Sequence, residues 1–289
     1  KREEIFRQEG WNYHLEQKEG PLKYNGVVYN EMKGAFSSPD EVLEREIMNH
    51  LFPDTTYGCE SGGDPKNIPD LTYENFLNFH RTYYHPSNSY IFLYGNMDME
   101  EKLAFLDEHY LSHFDYLDVD SVIQEQKAFG ACQDVTLEYP VAENEGEEDN
   151  TYLSYNMVVG NAADSQMAMA FEVLDYALLS APGAPLKQAL LDGILQPYFT
   201  VIAKGSNPDR KEEFVSVIRQ VLGDIVKNGI DKKAVEAGIN YFEFRYREAD
   251  FSSYPKGLMY SLDILGDWLY EKGNPFAQVQ QLTVFEKLK

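Results

Sequence analysis

The sequence predicts a mixed α+β fold in two halves. Three observations carry this: segments of helical period alternate with short apolar strand-like runs, most boundaries carry capping or turn residues, and the pattern weakens between about Asp115 and Ala131. The 289 residues are long enough for two domains, and 43% hydrophobic content supplies cores for both. The first helix with a clear pattern lies within Gly26–Phe36, GVVYNEMKGAF. Ser38-Pro39-Asp40-Glu41 then reads as an N-cap, a first-turn proline and a capping-box glutamate, opening a helix that buries Val42, Leu43, Ile47, Met48 and Leu51. A polar loop runs from Asp54 to Asp70 and holds Ser61-Gly62-Gly63. A helix from about Thr72 to Tyr84 follows, and His85-Pro86 stops it. Ser89–Tyr94, SYIFLY, reads as a covered strand, and Asp98 with Glu101 opens a helix ending near Tyr110.

Strands resume at Asp134–Tyr139 and Thr151–Val159 across the acidic loop Glu143–Asn150. Asp164–Leu179 is helical, and Ala181-Pro182-Gly183-Ala184-Pro185 is turn chemistry. Ile194–Lys204 reads as a strand, and Asn207-Pro208 caps a long helix reaching Lys227. Helices from Asp231 to about Ala249 and from Tyr254 to about Glu271 complete the chain. Tyr241, Phe242, Phe244 and Tyr246 have near-helical spacing and are expected in the core. The two halves share a strand–helix rhythm, but no short repeat.

Forty-eight acidic residues against 25 basic ones give a net charge of −23, which argues against a nucleic-acid surface. The acidity either attracts basic ligands or keeps the protein soluble. Two distant cysteines, Cys59 and Cys132, predict free thiols and a reducing compartment, cytoplasmic or an organelle matrix. No run of 18 apolar residues predicts a transmembrane helix, so no membrane partner is expected. The opening residues KREEIFRQEG lack Met and a signal core, and read as the interior of a longer protein.

Glu31 is the candidate site residue. In a helix it shares a face with Val27, Val28 and Ala35, and none of the positions 27, 28, 34 and 35 carries a cation. A carboxylate buried there needs a positive partner, either a metal ion or a distant Lys or Arg, or else the helix must open onto a polar cleft.

At this point two stretches carry a family likeness: GVVYNEMKGAFSSPDE (26–41) and TTYGCESGGDPKNIPDLTYENFLNFHRTYYHPSNSYIFLYGNMD (55–98). They resemble the presequence-protease branch of the pitrilysin-type zinc metallopeptidases. ALLSAPGAPLKQALLD (177–192) and INYFEFRYREADF (239–251) resemble that branch's second domain. The resemblance implies duplicated metallohydrolase-type domains (LuxS/MPP-like), each a mainly antiparallel sheet packed against helices. Residues 1–118 would be the C-terminal part of the first, catalytic domain, 119–133 a linker, and 134–289 an incomplete second domain. The join at Asp192–Gly193 falls where relatives are longer, and is expected to be a gap in the chain rather than a peptide bond.

The resemblance further implies a Zn2+ cofactor, peptide substrates, and the remaining domains of the same polypeptide as partners. It identifies Glu31 as the distal zinc ligand. Ser61, Gly62 and Gly63 would lie near the site, although a plain turn before Pro65 explains them equally. Asn30 and Lys33 would lie next to the ligand, with helix-surface roles as the default. The family's H-x-x-E-H motif is absent: the histidines are His14, His50, His80, His85, His109 and His113. His109 and His113 have i,i+4 spacing without the required glutamate, and are expected at an exposed helix end. No catalytic residue is therefore expected in this chain, and the isolated chain is expected to be inactive. The alternative is a catalytically inactive homologue serving as a structural or peptide-binding subunit.

Overall fold

The computed structural model describes residues 2–142, 144–162, 164–180, 190–191, 195–248, 253–269, 275–276 and 278–289. The chain forms two compact units, Lys1–Ile91 with Asn96–Val141, and Phe92–Gly95 with Ala142–Lys289.

The first unit is helical, with one small hairpin. Its helices are α1 (Glu3–Glu9), α2 (Val27–Ala35), α3 (Pro39–Leu51), α4 (Tyr73–Tyr83) and α5 (Met99–His109). Strands β1 (Asn12–His14) and β2 (Lys23–Asn25) pair antiparallel, Tyr13 facing Tyr24. Phe6, Trp11 and Ile68 form a buried cluster on which Tyr29, Met32 and Tyr73 pack. Trp11 donates from Nε1 to the Leu71 carbonyl at 2.8 Å, which satisfies its one donor. Thr72 caps α4 through a full capping box with Asn75, and Asp98 accepts from the Glu101 amide to cap α5. Ser38 has the extended backbone of an N-cap, but its side chain makes no capping bond. On α3, Ile47 is buried, while Val42, Leu43, Met48 and Leu51 are half-buried.

Two expected strands do not form. Ser89–Tyr94 has no ladder partner among the described residues, and Ile91 and Tyr94 are exposed. The residues just before it are held by side chains instead: Ser87 Oγ accepts from the Leu117 amide, and Ser121 Oγ donates to Asn88 Oδ1. Asp134–Tyr139 is likewise unpaired, with Val135 and Leu137 exposed. A strand-like run makes a strand only where a neighbour supplies the other half of each hydrogen bond. Gln126 is buried and binds Asp54 at both its backbone amide, 2.9 Å, and its carboxylate, 2.8 Å.

The second unit contains β3 (Thr151–Val158), α6 (Ser165–Asp175), β4 (Leu190–Leu191), β5 (Tyr198–Ser206), α7 (Lys211–Asn228), α8 (Lys232–Glu248), α9 (Lys256–Leu269) and α10 (Gln281–Leu288). Its sheet is antiparallel in the order β3-β5-β4. Phe199 and Val201 on β5 pack against Ile218 of α7, joined by Tyr155, Phe214 and Leu222. Asp164 caps α6 by accepting from the Met167 amide. Asn207 does not cap α7; its amide group exchanges two hydrogen bonds with Asp149 across the end of the β3–β5 ladder. Asp149 takes a left-handed backbone, φ 56°, which Asp tolerates better than most side chains.

A second core joins Met169 and Val173 of α6, Phe242 of α8 and Phe285 of α10. The aromatic group expected there divides: Phe242 is buried and Tyr246 half-buried, while Tyr241 and Phe244 are exposed. Only one stripe of α8 can face α6 and α10, and 241 and 244 lie off it. The turn at 181–185 and the join at 192–193 lie outside the described residues.

Glu243 on α8 accepts from Lys289 Nζ at 2.6 Å and Arg247 Nη2 at 2.9 Å. The Lys289 ammonium first, then the Arg247 guanidinium, hold its carboxyl below the usual glutamate range. A lowered folded-state pKa contributes stability above the unfolded value of about 4.3, and that contribution is lost as pH falls through the folded value. Glu243→Gln is therefore expected to melt at a lower temperature than the parent at pH 7. The difference should close as both are titrated downward from about pH 4.3 in a melting-temperature series.

Candidate functional site

Helix α2 starts at Gly26, whose φ is 150° and where an added Cβ would stand 2.3 Å from the Gly10 carbonyl oxygen. Only glycine lets the helix begin this close to the turn after α1. The Tyr29 amide donates to the same carbonyl at 3.2 Å. The helix then turns Tyr29 and Met32 onto the Phe6–Trp11–Ile68 cluster. Its opposite side carries Val27, 53% exposed, Val28, 37% exposed, and Glu31, also exposed.

This corrects the expected burial of Glu31. Two apolar stripes compete on α2: Val27, Val28 and Ala35 form one, and Tyr29, Met32 and the following Phe36 form the other. The second has the larger side chains, and so the larger area to remove from water. Phe36 is half-buried, with the Arg45 guanidinium 3.9 Å above its ring. Glu31 therefore needs no compensating cation for its own desolvation. Nor does an Arg or Lys hold it: among the described residues its carboxylate makes no hydrogen bond or ion pair.

The other expected site residues gather around α2. Asn30 donates from Nδ2 to Asn25 Oδ1 at 2.8 Å and ties the helix to the end of β2. Lys33 is exposed. Ser61 is exposed, and Gly62 and Gly63 are half-buried. The loop they form reaches α2 itself, for a Cβ on Gly62 would stand 2.2 Å from Met32 Sδ. Asp64 closes the loop, with Oδ1 accepting from the Lys66 amide and its carbonyl from the Asn67 and Ile68 amides. The structure thus brings Ser61–Gly63 alongside the helix of Asn30, Glu31 and Lys33. His109, the last residue of α5, and His113, in the 3-10 turn Leu111–His113 that follows, are both exposed, and the ring of His109 rests on Phe105.

A groove of about 460 Å³ opens on the same unit, lined by Glu41, Glu44, Arg45, Cys59, Glu60 and Ser61 among others. Arg45 binds Glu46 through Nε and Nη2, while its Nη1 is buried without a hydrogen-bond partner. The groove had no signal in the sequence beyond the close spacing of Glu41, Glu44 and Arg45 on one helix. Cys59 and Cys132 are both free, exposed thiols. Among the described residues no three His, Cys, Asp or Glu side chains stand close enough to hold a metal ion. Glu31 fits a zinc ligand in type and availability, and is a single donor where zinc takes three or four from protein.

Residues 70–242 match the family model described as the peptidase M16 inactive domain. The chain belongs to the M16 peptidase family. Within it, protein HypA of Clostridium perfringens is 48% identical over 100% of this chain and 31% of its own length. Presequence protease 1, chloroplastic/mitochondrial, of Arabidopsis thaliana is 36% identical over 98% of this chain and 28% of its own length. The M16 chain therefore spans under a third of these relatives, and the resemblance read from residues 26–41 and 55–98 holds. Among solved structures, a peptidase M16 inactive domain from Pseudomonas fluorescens superposes with a TM-score of 0.58 at 17% identity, over 90% of this chain and 66% of that one. A putative M16-like peptidase from Alicyclobacillus acidocaldarius gives 0.57 at 15% identity, over 91% and 63%. The fold is thus M16-like, mixed helix with small antiparallel sheets. Glu31 and Ser61–Gly63 precede the stretch that the family model matches.

Proposed function

We propose that this chain is part of a zinc-dependent M16 endopeptidase that degrades unstructured peptides, and that Glu31 is its contribution to the metal. The observation that carries the reading is the 36% identity to a presequence protease across 98% of the chain. The uncommitted carboxylate of Glu31 on the exposed side of α2 supports it. When bound, zinc acidifies a water molecule and polarises the scissile carbonyl. The chain's own part is to hold a carboxylate at a fixed height on α2, with Asn30 bonded back to Asn25 and the Ser61–Gly63 loop set against Met32.

In this reading residues 1–118 belong to the first of two duplicated LuxS/MPP-like domains and 134–289 to the second. The remaining domains of the polypeptide are the partners, and a reducing compartment, cytoplasm or organelle matrix, is the location. The surplus of acid, including Glu41, Glu44 and Glu60 around the groove, favours basic peptides as substrates.

The isolated chain lacks the imidazole ligands and the general base, and is inactive. A quenched peptide incubated with this chain and excess zinc is expected to stay intact, while the full-length protein cleaves it until a chelator is added. Chelator-sensitive cleavage by the chain alone overturns the inactivity; chelator-resistant cleavage by the full-length protein overturns the zinc chemistry. A second reading, an inactive homologue serving as a structural or peptide-binding subunit, is favoured by the inactive-domain match over residues 70–242. It predicts a full-length protein that binds the peptide and leaves it whole.

A further inference from the structure

Met32 fills the space that a side chain at position 62 would need. A Cβ on Gly62 would lie 2.2 Å from its Sδ and 2.8 Å from its Cε, closer than real contacts allow, and 3.3 Å from its Cγ. The whole end of the thioether therefore lies over the glycine backbone. The same side chain packs on the Phe6–Trp11–Ile68 cluster, so it is held from below as well. The loop is braced on either side of this contact. The Gly63 amide donates to the Glu60 carbonyl at 3.1 Å, and Ile68, 4% exposed, anchors the far end in the cluster. Met32 immediately follows Glu31 in a helix of nine residues, so a contact that moves this turn of α2 moves the backbone of Glu31 with it.

We propose that Met32 is a positioning residue: seated in the gap at Gly62, it sets the distance between the Ser61–Gly63 loop and the turn of α2 that presents Glu31. The metal part of this proposal rests on the reading of Glu31 given above. A flexible thioether suits the role, because it fills an irregular gap without branching into its walls. Site geometry held to a fraction of an ångström depends on such supporting contacts, and a misplacement of about 1 Å costs on the order of 100-fold in rate.

The test is a double-mutant cycle of Gly62→Ala and Met32→Ala, with Met32→Leu as the volume-conserving control. Limited proteolysis of this chain at the loop reads the contact without metal, and zinc affinity, kcat and KM of the full-length protein read the site. Gly62→Ala is expected to raise loop cleavage, weaken zinc by about 10- to 100-fold and lower kcat with KM little changed. Adding Met32→Ala removes the collision, so the double variant should resemble Met32→Ala alone, and Met32→Leu should stay near the parent. Additive effects overturn the contact as the cause. Coupled proteolysis with unchanged zinc affinity and kcat overturns the positioning role. Separately, Glu31→Gln with unchanged zinc affinity defeats the ligand reading while leaving the proteolysis cycle intact.

Discussion

Glu31→Gln in the full-length protein is expected to lose its zinc and more than about 100-fold in kcat/KM, a larger loss than removing a residue that merely supports a metal ligand. With metal stripped from both proteins its stability should hardly move, whereas bound zinc would by itself raise the parent's melting temperature. The carboxylate is exposed and makes no ion pair among the described residues, and substitutions at such positions usually stay within about 0.5 kcal/mol. The pairing of a large functional loss with an unchanged melting curve is what separates a ligand from a structural acid. Metal content and a peptide-cleavage assay on the zinc-loaded proteins, with thermal unfolding of both after chelation, check all three. A Glu31→Gln variant that keeps metal and activity removes Glu31 from the mechanism.

Phe285→Ala should cost about 3–5 kcal/mol of the second unit's stability. Phe285 is 0% exposed among Met169, Val173 and Phe242, with the Tyr246 ring edge-on at 5.6 Å. It is the fully buried residue of α10, a helix of eight residues too short to persist without packing. Val226→Ala, at a site 88% exposed, is the matched control and should shift the denaturant midpoint little. A Phe285→Ala midpoint no lower than the control's would mean that α10 contributes nothing to this core.

Much of the second half was legible because its elements announce their own ends. Asp164 before α6, the apolar run of β3 and the helix that becomes α7 each carry a local signal, and the structure places them within a few residues of expectation. The two runs that fail, 89–94 and 134–139, show why a strand-like run alone is weaker evidence than a cap. A cap is satisfied within four residues, whereas a strand depends on a partner that its own residues do not specify. The hairpin at 12–25 failed in the other direction: three-residue strands leave too short a window for any period to show.

At the site, residue types were legible and orientation was not. Nine residues of α2 offer two apolar stripes, and the choice between them is made by Phe6, Trp11 and Ile68, which are distant in sequence. The meaning of Gly62 was hidden for the same reason. Its lack of a side chain is explained by a methionine thirty positions earlier, and nothing in the local run Ser61-Gly62-Gly63 says so.

The reciprocal bonds between Asp149 and Asn207 have a consequence for how this chain can change. They close one end of the β3–β5 ladder with side chains, so the strand pair is already fastened before the acidic segment 144–148 begins. Residues added to that segment lie N-terminal to this fastening and outside the ladder. The segment is thus free to lengthen, shorten or gain charge over evolutionary time without loosening the strands beneath it.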